Sequence, residues 1–136
     1  MRPDLAPRHV ARLRELVRRG FYDGLAFHNV VHDFVAETGE AKGPDRAGSD
    51  ERIPAEFTTT EFDRGSVGMM RDRNDPDSAI SRFFILYQPA PHLKGRYTYW
   101  GRVVHGMRYL DRLQPGNPPK RPDRIVRIRV LADILG

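Results

Sequence analysis

The apolar positions change their period along the chain. Val10, Leu13, Leu16 and Val17 recur at three- and four-residue spacing, with Pro7 ahead of them and Gly20 behind. That pattern predicts a helix over Pro7 to Arg19 with one face in a core. Tyr22-Asp23-Gly24 reads as a turn, and Leu25 to Val31 and Phe34 to Thr38 read as extended chain. Gly39 to Glu51 is rich in glycine and charge with almost nothing to bury, which predicts a long surface loop. Ser66 to Met70 follows the turn Asp63-Arg64-Gly65 as a short strand, and RDRNDPDSAIS after it is polar and turn-rich. FFILY at Phe83 to Tyr87 is an unbroken apolar run of strand length, the mark of a strand buried on both faces. Tyr97 to Val104 predicts another strand, Met107 to Leu113 a short helix, and Gln114 to Asp123 a Pro/Gly-rich loop. Ile125 to Leu131 alternates apolar residues with arginine, as a half-exposed strand does. Many short strands with one early and one late helix predict a single mainly β domain over 1–136, closed as an antiparallel barrel or sandwich.

Composition narrows the classes. Of 136 residues, 39% are hydrophobic and 30% charged, which fits one soluble globular domain and not a disordered chain. The formal charge is +5, but the arginines are scattered from Arg2 to Arg129. This is a solvated basic surface more than a nucleic-acid interface. With no cysteine, disulfides and thiolate metal sites are excluded. No apolar run reaches the roughly 18–20 residues of a membrane span. The opening MRPDLAPRHV lacks the apolar core of a secretory signal, so the chain as written reads as cytoplasmic.

FHNVVHDFVAETGE at 27–40 carries the most suggestive chemistry. His28 and His32 are four apart, which suits a metal pair on a helix. On a strand the same spacing separates them by about 13 Å, too far for one ion, so no metal is expected. Arginines alternate with aromatics at Arg82-Phe83-Phe84 and Arg96-Tyr97-Thr98-Tyr99-Trp100. Base stacking could use such a pattern, and strand alternation explains it as well. No G-x-S-x-G, P-loop or G-x-G-x-x-G occurs.

A set of segments in order nonetheless resembles the cyclophilin family of peptidyl-prolyl isomerases: APRHVARLRELVRRGFYDGLAFHNVV, FVAETGE, IPAEF, RGSVGMMR, DPDSAISRFFI and PHLKGRYTYWGRVVHGM. The resemblance runs from about Leu5 to Gly106 or beyond, with the last strand fitting too, and is closest to compact bacterial members. It implies an eight-stranded antiparallel β-barrel capped by two helices, with no cofactor. It also implies a groove on the outer face that takes Xaa-Pro bonds in peptides or unfolded proteins. The proline pocket carries over onto Phe34, Phe84 and Leu93, with Val35 lining it, His92 beside Leu93, and Tyr97 closing one end.

The polar half departs from the family pattern. Asn29 stands where the family has its catalytic arginine after FH. Glu37 stands in place of a glutamine, Arg82 in place of a second glutamine before FF, and Met70 in place of a small alanine on the groove floor. Asparagine cannot present a charged bidentate donor, so weakened isomerase activity is expected. A non-catalytic proline-binding module is the alternative. One compensation would be Arg82 reaching into the groove and pairing with Glu37.

The resemblance implies two strands ahead of the first helix, where this chain has only Met1 to Leu5. The expectation is therefore an open barrel whose Ile125 to Leu131 strand lacks a neighbour. Missing N-terminal strands are the favoured explanation. A signal among them would make the location periplasmic. The protein is expected to be a monomer, with association through the bare edge as the alternative.

Overall fold

A computed structural model describes residues 1–40 and 51–135. Helix α1 spans Pro7–Arg18, and its buried side is His9, Val10, Leu13, Leu16 and Val17, the stripe its period predicts. Pro7 occupies the first turn, where its missing N–H costs nothing. Ala6 provides no side-chain cap; the carboxylate of Glu56 accepts the N–H of Arg8 at 3.2 Å and of His9 at 2.8 Å instead. A negative charge at that end also complements the helix dipole.

Five strands follow: β1 Asn29–Val31, β2 Val35–Thr38, β3 Ser66–Met69, β4 Phe83–Leu86 and β5 Tyr99–Arg102. They form one antiparallel sheet in the order β1-β2-β4-β3-β5. A 3₁₀ turn lies at Pro91–Leu93, and two short helices, α2 Met107–Leu110 and α3 Leu131–Leu135, complete the described elements. Strand β4 is central and buried along its whole length, as FFILY predicted. Each face of the sheet therefore carries its own apolar layer. On the inner face Phe83, Ile85, Val67, Met69 and Trp100 meet α1, while Val30, Ala36 and Tyr87 meet Met107 and Leu110 of α2. On the outer face Val35, Phe84, Leu86 and Tyr99 gather Phe62, Ala90 and Leu93 over them.

Several expectations are corrected. Among the described residues the sheet is open and five-stranded, not an eight-stranded barrel, and three α-helices replace the expected two. The Ile125 to Leu131 strand does not form. Beside an isolated bridge from Ala26 to Arg124, Ile125 shares backbone hydrogen bonds with Gly24 and Leu25. The Ile128 N–H donates to Asp23 at 3.0 Å, Arg129 pairs with the same carboxylate, and Ile125, Ile128 and Val130 pack on the core. Alternation marks a chain able to enter a sheet, but a ladder needs a partner along its length, and none of the described strands lies there. Val126 is consequently 90% exposed, and Leu131 turns into α3. Of Leu25 to Val31 only Asn29–Val31 is ladder, of Tyr97 to Val104 only Tyr99–Arg102, and the helix from Met107 ends at Leu110. Most of the Gly39 to Glu51 loop lies outside the described residues. Among those described, no helix is long and apolar enough to cross a membrane.

Candidate active site

The outer face of the sheet is organised by register. Asn29 pairs with Glu37, Glu37 with Phe84, Phe84 with Gly68, and Gly68 with Tyr99. Opposed residues share a face, so a single row across the sheet runs from an amide, through a carboxylate, to a phenyl ring and a phenol. Gly68 is what lets the ring lie flat in that row. A Cβ there would stand 2.4 Å from Cζ of Phe84 and 3.0 Å from Cε1 of Phe62.

The apolar residues named from the sequence are brought together. Phe84 and Tyr97 meet edge to face at 5.7 Å, and Val35, Leu93 and Met70 pack in the same cluster. Phe34 sits at the end of the tight β1–β2 turn, where Asp33 adopts φ 62°, a conformation aspartate tolerates. The turn leaves Phe34 41% exposed, and its ring centroid lies 6.4 Å from that of His92. A large apolar side chain half in water beside a packed aromatic floor is a surface suited to a small apolar ligand group.

The polar residues divide. The Nδ2 amide of Asn29 donates to Oε2 of Glu37 at 2.9 Å; a carboxylate only accepts, so the amide nitrogen must face it. Among the described residues Oδ1 of Asn29 is buried with no hydrogen-bond partner, as is Nδ1 of His28. Nε2 of His28 lies 3.8 Å from both Glu37 and Glu40. The anticipated Arg82–Glu37 pair is not formed: the ion pair of Arg82 is with Asp72, at 3.9 Å. Arg82 is the residue just before β4, and its guanidinium follows the 71–81 turn, while Glu37 is already satisfied across the β1–β2 ladder. Arg82 and Met70 instead line a neighbouring cavity of about 300 Å³ with Asp72, Ser78, Ile80 and Ser81. No group of three potential metal ligands converges among the described residues.

Three contributors went unremarked in the sequence. Phe62 is 2% exposed, stacks on Phe84 at 6.0 Å and meets Tyr99 edge to face at 5.5 Å. Gly68 carries the signal of a glycine inside a strand, which marks close approach. Arg71 lies over the Tyr97 ring, and nothing in its local sequence distinguishes it from other surface arginines.

Comparison with known proteins places the chain in one family. The family description "cyclophilin type peptidyl-prolyl cis-trans isomerase/CLD" matches residues 1–130. The chain belongs to the cyclophilin-type peptidyl-prolyl cis-trans isomerases. Among these cyclophilins it is 44% identical to the "Probable peptidyl-prolyl cis-trans isomerase" of Brucella suis biovar 1 over 150 residues, 98% of this chain and 76% of that protein. It is 32% identical to peptidyl-prolyl cis-trans isomerase B of Bacillus subtilis, covering 87% of this chain and 82% of that one. The cyclophilin AquaCyp293 from Hirschia baltica superposes with a TM-score of 0.79 at 27% identity, over 92% of this chain and 66% of the Hirschia chain, just under two thirds. A Cryptosporidium parvum cyclophilin solved in the presence of the dipeptide ala-pro has a TM-score of 0.80 at 22% identity, covering 94% and 87%. The cyclophilin fold and family are thus retained with a sheet that does not close.

Proposed function

We propose that the outer-face groove holds the prolyl ring of an Xaa-Pro segment against Phe84, between Phe34, Leu93 and Tyr97, and that this chain isomerises the bond slowly. The rotation barrier is about 18–20 kcal/mol because resonance stiffens the C–N bond. An apolar pocket lowers it by removing water from the amide, since the twisted state is less polar. A donor aimed at the prolyl nitrogen, or at the carbonyl oxygen, lowers it further. The apolar half of that task is met by the clustered aromatics.

The observation that carries the reading is the 2.9 Å hydrogen bond from Asn29 to Glu37 beside Phe84. It supports a groove in which the position of the family's catalytic arginine holds a neutral amide already engaged with a carboxylate. Losing one preorganised donor at a comparable site costs about a hundred- to thousandfold in rate. The ala-pro dipeptide present with the Cryptosporidium cyclophilin supports the ligand class.

The test is isomerisation of a proline peptide followed by exchange NMR at several protein concentrations. Asn29→Arg is expected to raise the rate above that of the parent, and Arg82→Gln to leave it unchanged, because Arg82 faces Asp72. Loss of rate in Arg82→Gln would return Arg82 to the catalytic machinery. The engaged amide of Asn29 also favours a second reading, a binding module without catalysis. Saturable peptide binding with no acceleration at any concentration would decide for it.

A further inference from the structure

We propose that Arg71 makes this groove selective for proline segments that carry a carboxylate next to the proline; the proposal rests on the proline pocket described above. The guanidinium carbon of Arg71 lies 4.7 Å from the centroid of the Tyr97 ring and 6.0 Å from that of Phe57. Tyr97 in turn touches Phe84, so the cation stands one ring away from the pocket floor.

The group is fixed in place without being neutralised. Nε donates to the carbonyl of Arg96 at 2.9 Å, and Nη1 donates to the carbonyls of Asp72 and Arg73 at 3.0 and 3.2 Å. Three neutral acceptors orient the planar fork and leave its charge intact. Among the described residues Nη2 has no hydrogen bond and no carboxylate pairs with Arg71. Of the nearby cations, Lys94 is bonded to Glu61 at 2.6 Å and Arg82 faces Asp72. Arg73 and Arg96, whose carbonyls hold Arg71, are exposed to solvent and, among the described residues, not held against a ring. The carboxylate of Glu37 is occupied by Asn29. Arg71 is half-buried, and its ordering is already met within the free protein, so a substrate carboxylate can take the spare N–H groups without immobilising a loose side chain.

The experiment titrates the full chain with three tetrapeptides that differ only in the residue before proline: glutamate, alanine or lysine. The glutamate peptide is expected to bind about fivefold more tightly than the alanine peptide, the upper range for a charge pair at a solvent-accessible site. The lysine peptide should be weakest, and the spread should shrink in about 0.5 M salt. Arg71→Gln should abolish the glutamate-over-lysine preference, and Arg71→Lys should keep its sign. Equal affinities for the three peptides in the parent protein overturn the proposal, as does a preference that survives Arg71→Gln. A preference lost in Arg82→Gln but kept in Arg71→Gln assigns the cation to Arg82 and also overturns it. Should Arg71→Gln fail to fold by circular dichroism, a reversed preference in Arg71→Lys refutes it equally. Failure of all three peptides to bind would instead remove the proline pocket itself.

Discussion

Replacing Glu56 with alanine tests how α1 is anchored. In the native protein this carboxylate accepts hydrogen bonds from the backbone N–H of Arg8 and His9 and lies 2.7 Å from Nδ1 of His9. The His9 side chain is 1% exposed and that of Glu56 13%. In Glu56→Ala the Arg8 amide can turn to water, and losing a helix N-cap costs about 1 kcal/mol. His9 has no such recourse. Its ring N–H is left in an apolar setting, beside an Nε2 that already lacks a partner among the described residues, at about 1–3 kcal/mol. The expected loss is therefore about 2–4 kcal/mol by urea unfolding. Unfolding entropy of about 2.1 cal/mol/K per residue over 136 residues makes a 3 kcal/mol loss a fall in Tm of about 10 °C. Glu56→Gln keeps one acceptor and should cost about 1 kcal/mol. A Glu56→Ala protein within about 0.5 kcal/mol of the parent, the range of an inert surface change, would refute the tertiary cap.

The same pair sets the response to acid. Burial holds the His9 imidazole below its ordinary value despite the neighbouring carboxylate. The folded state thus binds fewer protons than the unfolded chain, and stability falls as pH drops below about 6.5. For Glu56 burial acts upward, but hydrogen bonds from the His9 ring and the two backbone amides outweigh it and lower its pKa. A further loss follows once pH falls below the ordinary carboxylate range, and urea midpoints measured between pH 7 and 3 should decline in two stages. Gly68→Ala forces Cβ against Phe84 and Phe62. Overpacking of about 1–3 kcal/mol, partly offset by a stiffer unfolded chain, leaves a net loss of about 1–2 kcal/mol. It should also weaken proline-peptide binding, and unchanged affinity would mean that the Phe84 ring is not the pocket floor.

Much of the site was legible because local pattern and chemistry coincided there. The alternation around FHNVVHDFVAETGE and the FFILY run placed Val35, Glu37 and Phe84 on strands, while Phe34, read as extended chain, falls in the β1–β2 turn. The strand period places Asn29, Glu37 and Phe84 on one face once the register is known. The register was not legible, because cross-strand pairing depends on which strands meet and not on any one segment. For that reason the Arg82–Glu37 pair failed: Glu37 lies opposite Asn29, and the 71–81 turn brings Asp72 to Arg82. Arg71 was missed for the same cause, since its partners Tyr97 and Arg96 are distant in the chain.

Helix α1 and strand β4 were determined by sequence alone, because a helical stripe and a continuous apolar run each specify what they must bury. The family was determined by the segments quoted from it, and the model of that family matches residues 1–130. Tertiary structure decided the rest. The N-terminus of α1 is capped by a residue 47 positions away from His9, and the apolar groove forms only where three strands and the Pro91–Leu93 turn converge. The Ile125 to Leu131 segment, written as a strand, stays outside the sheet because hydrogen-bond ladders need two chains side by side. A sequence carries the pattern of one of those chains and says nothing local about the presence of the other.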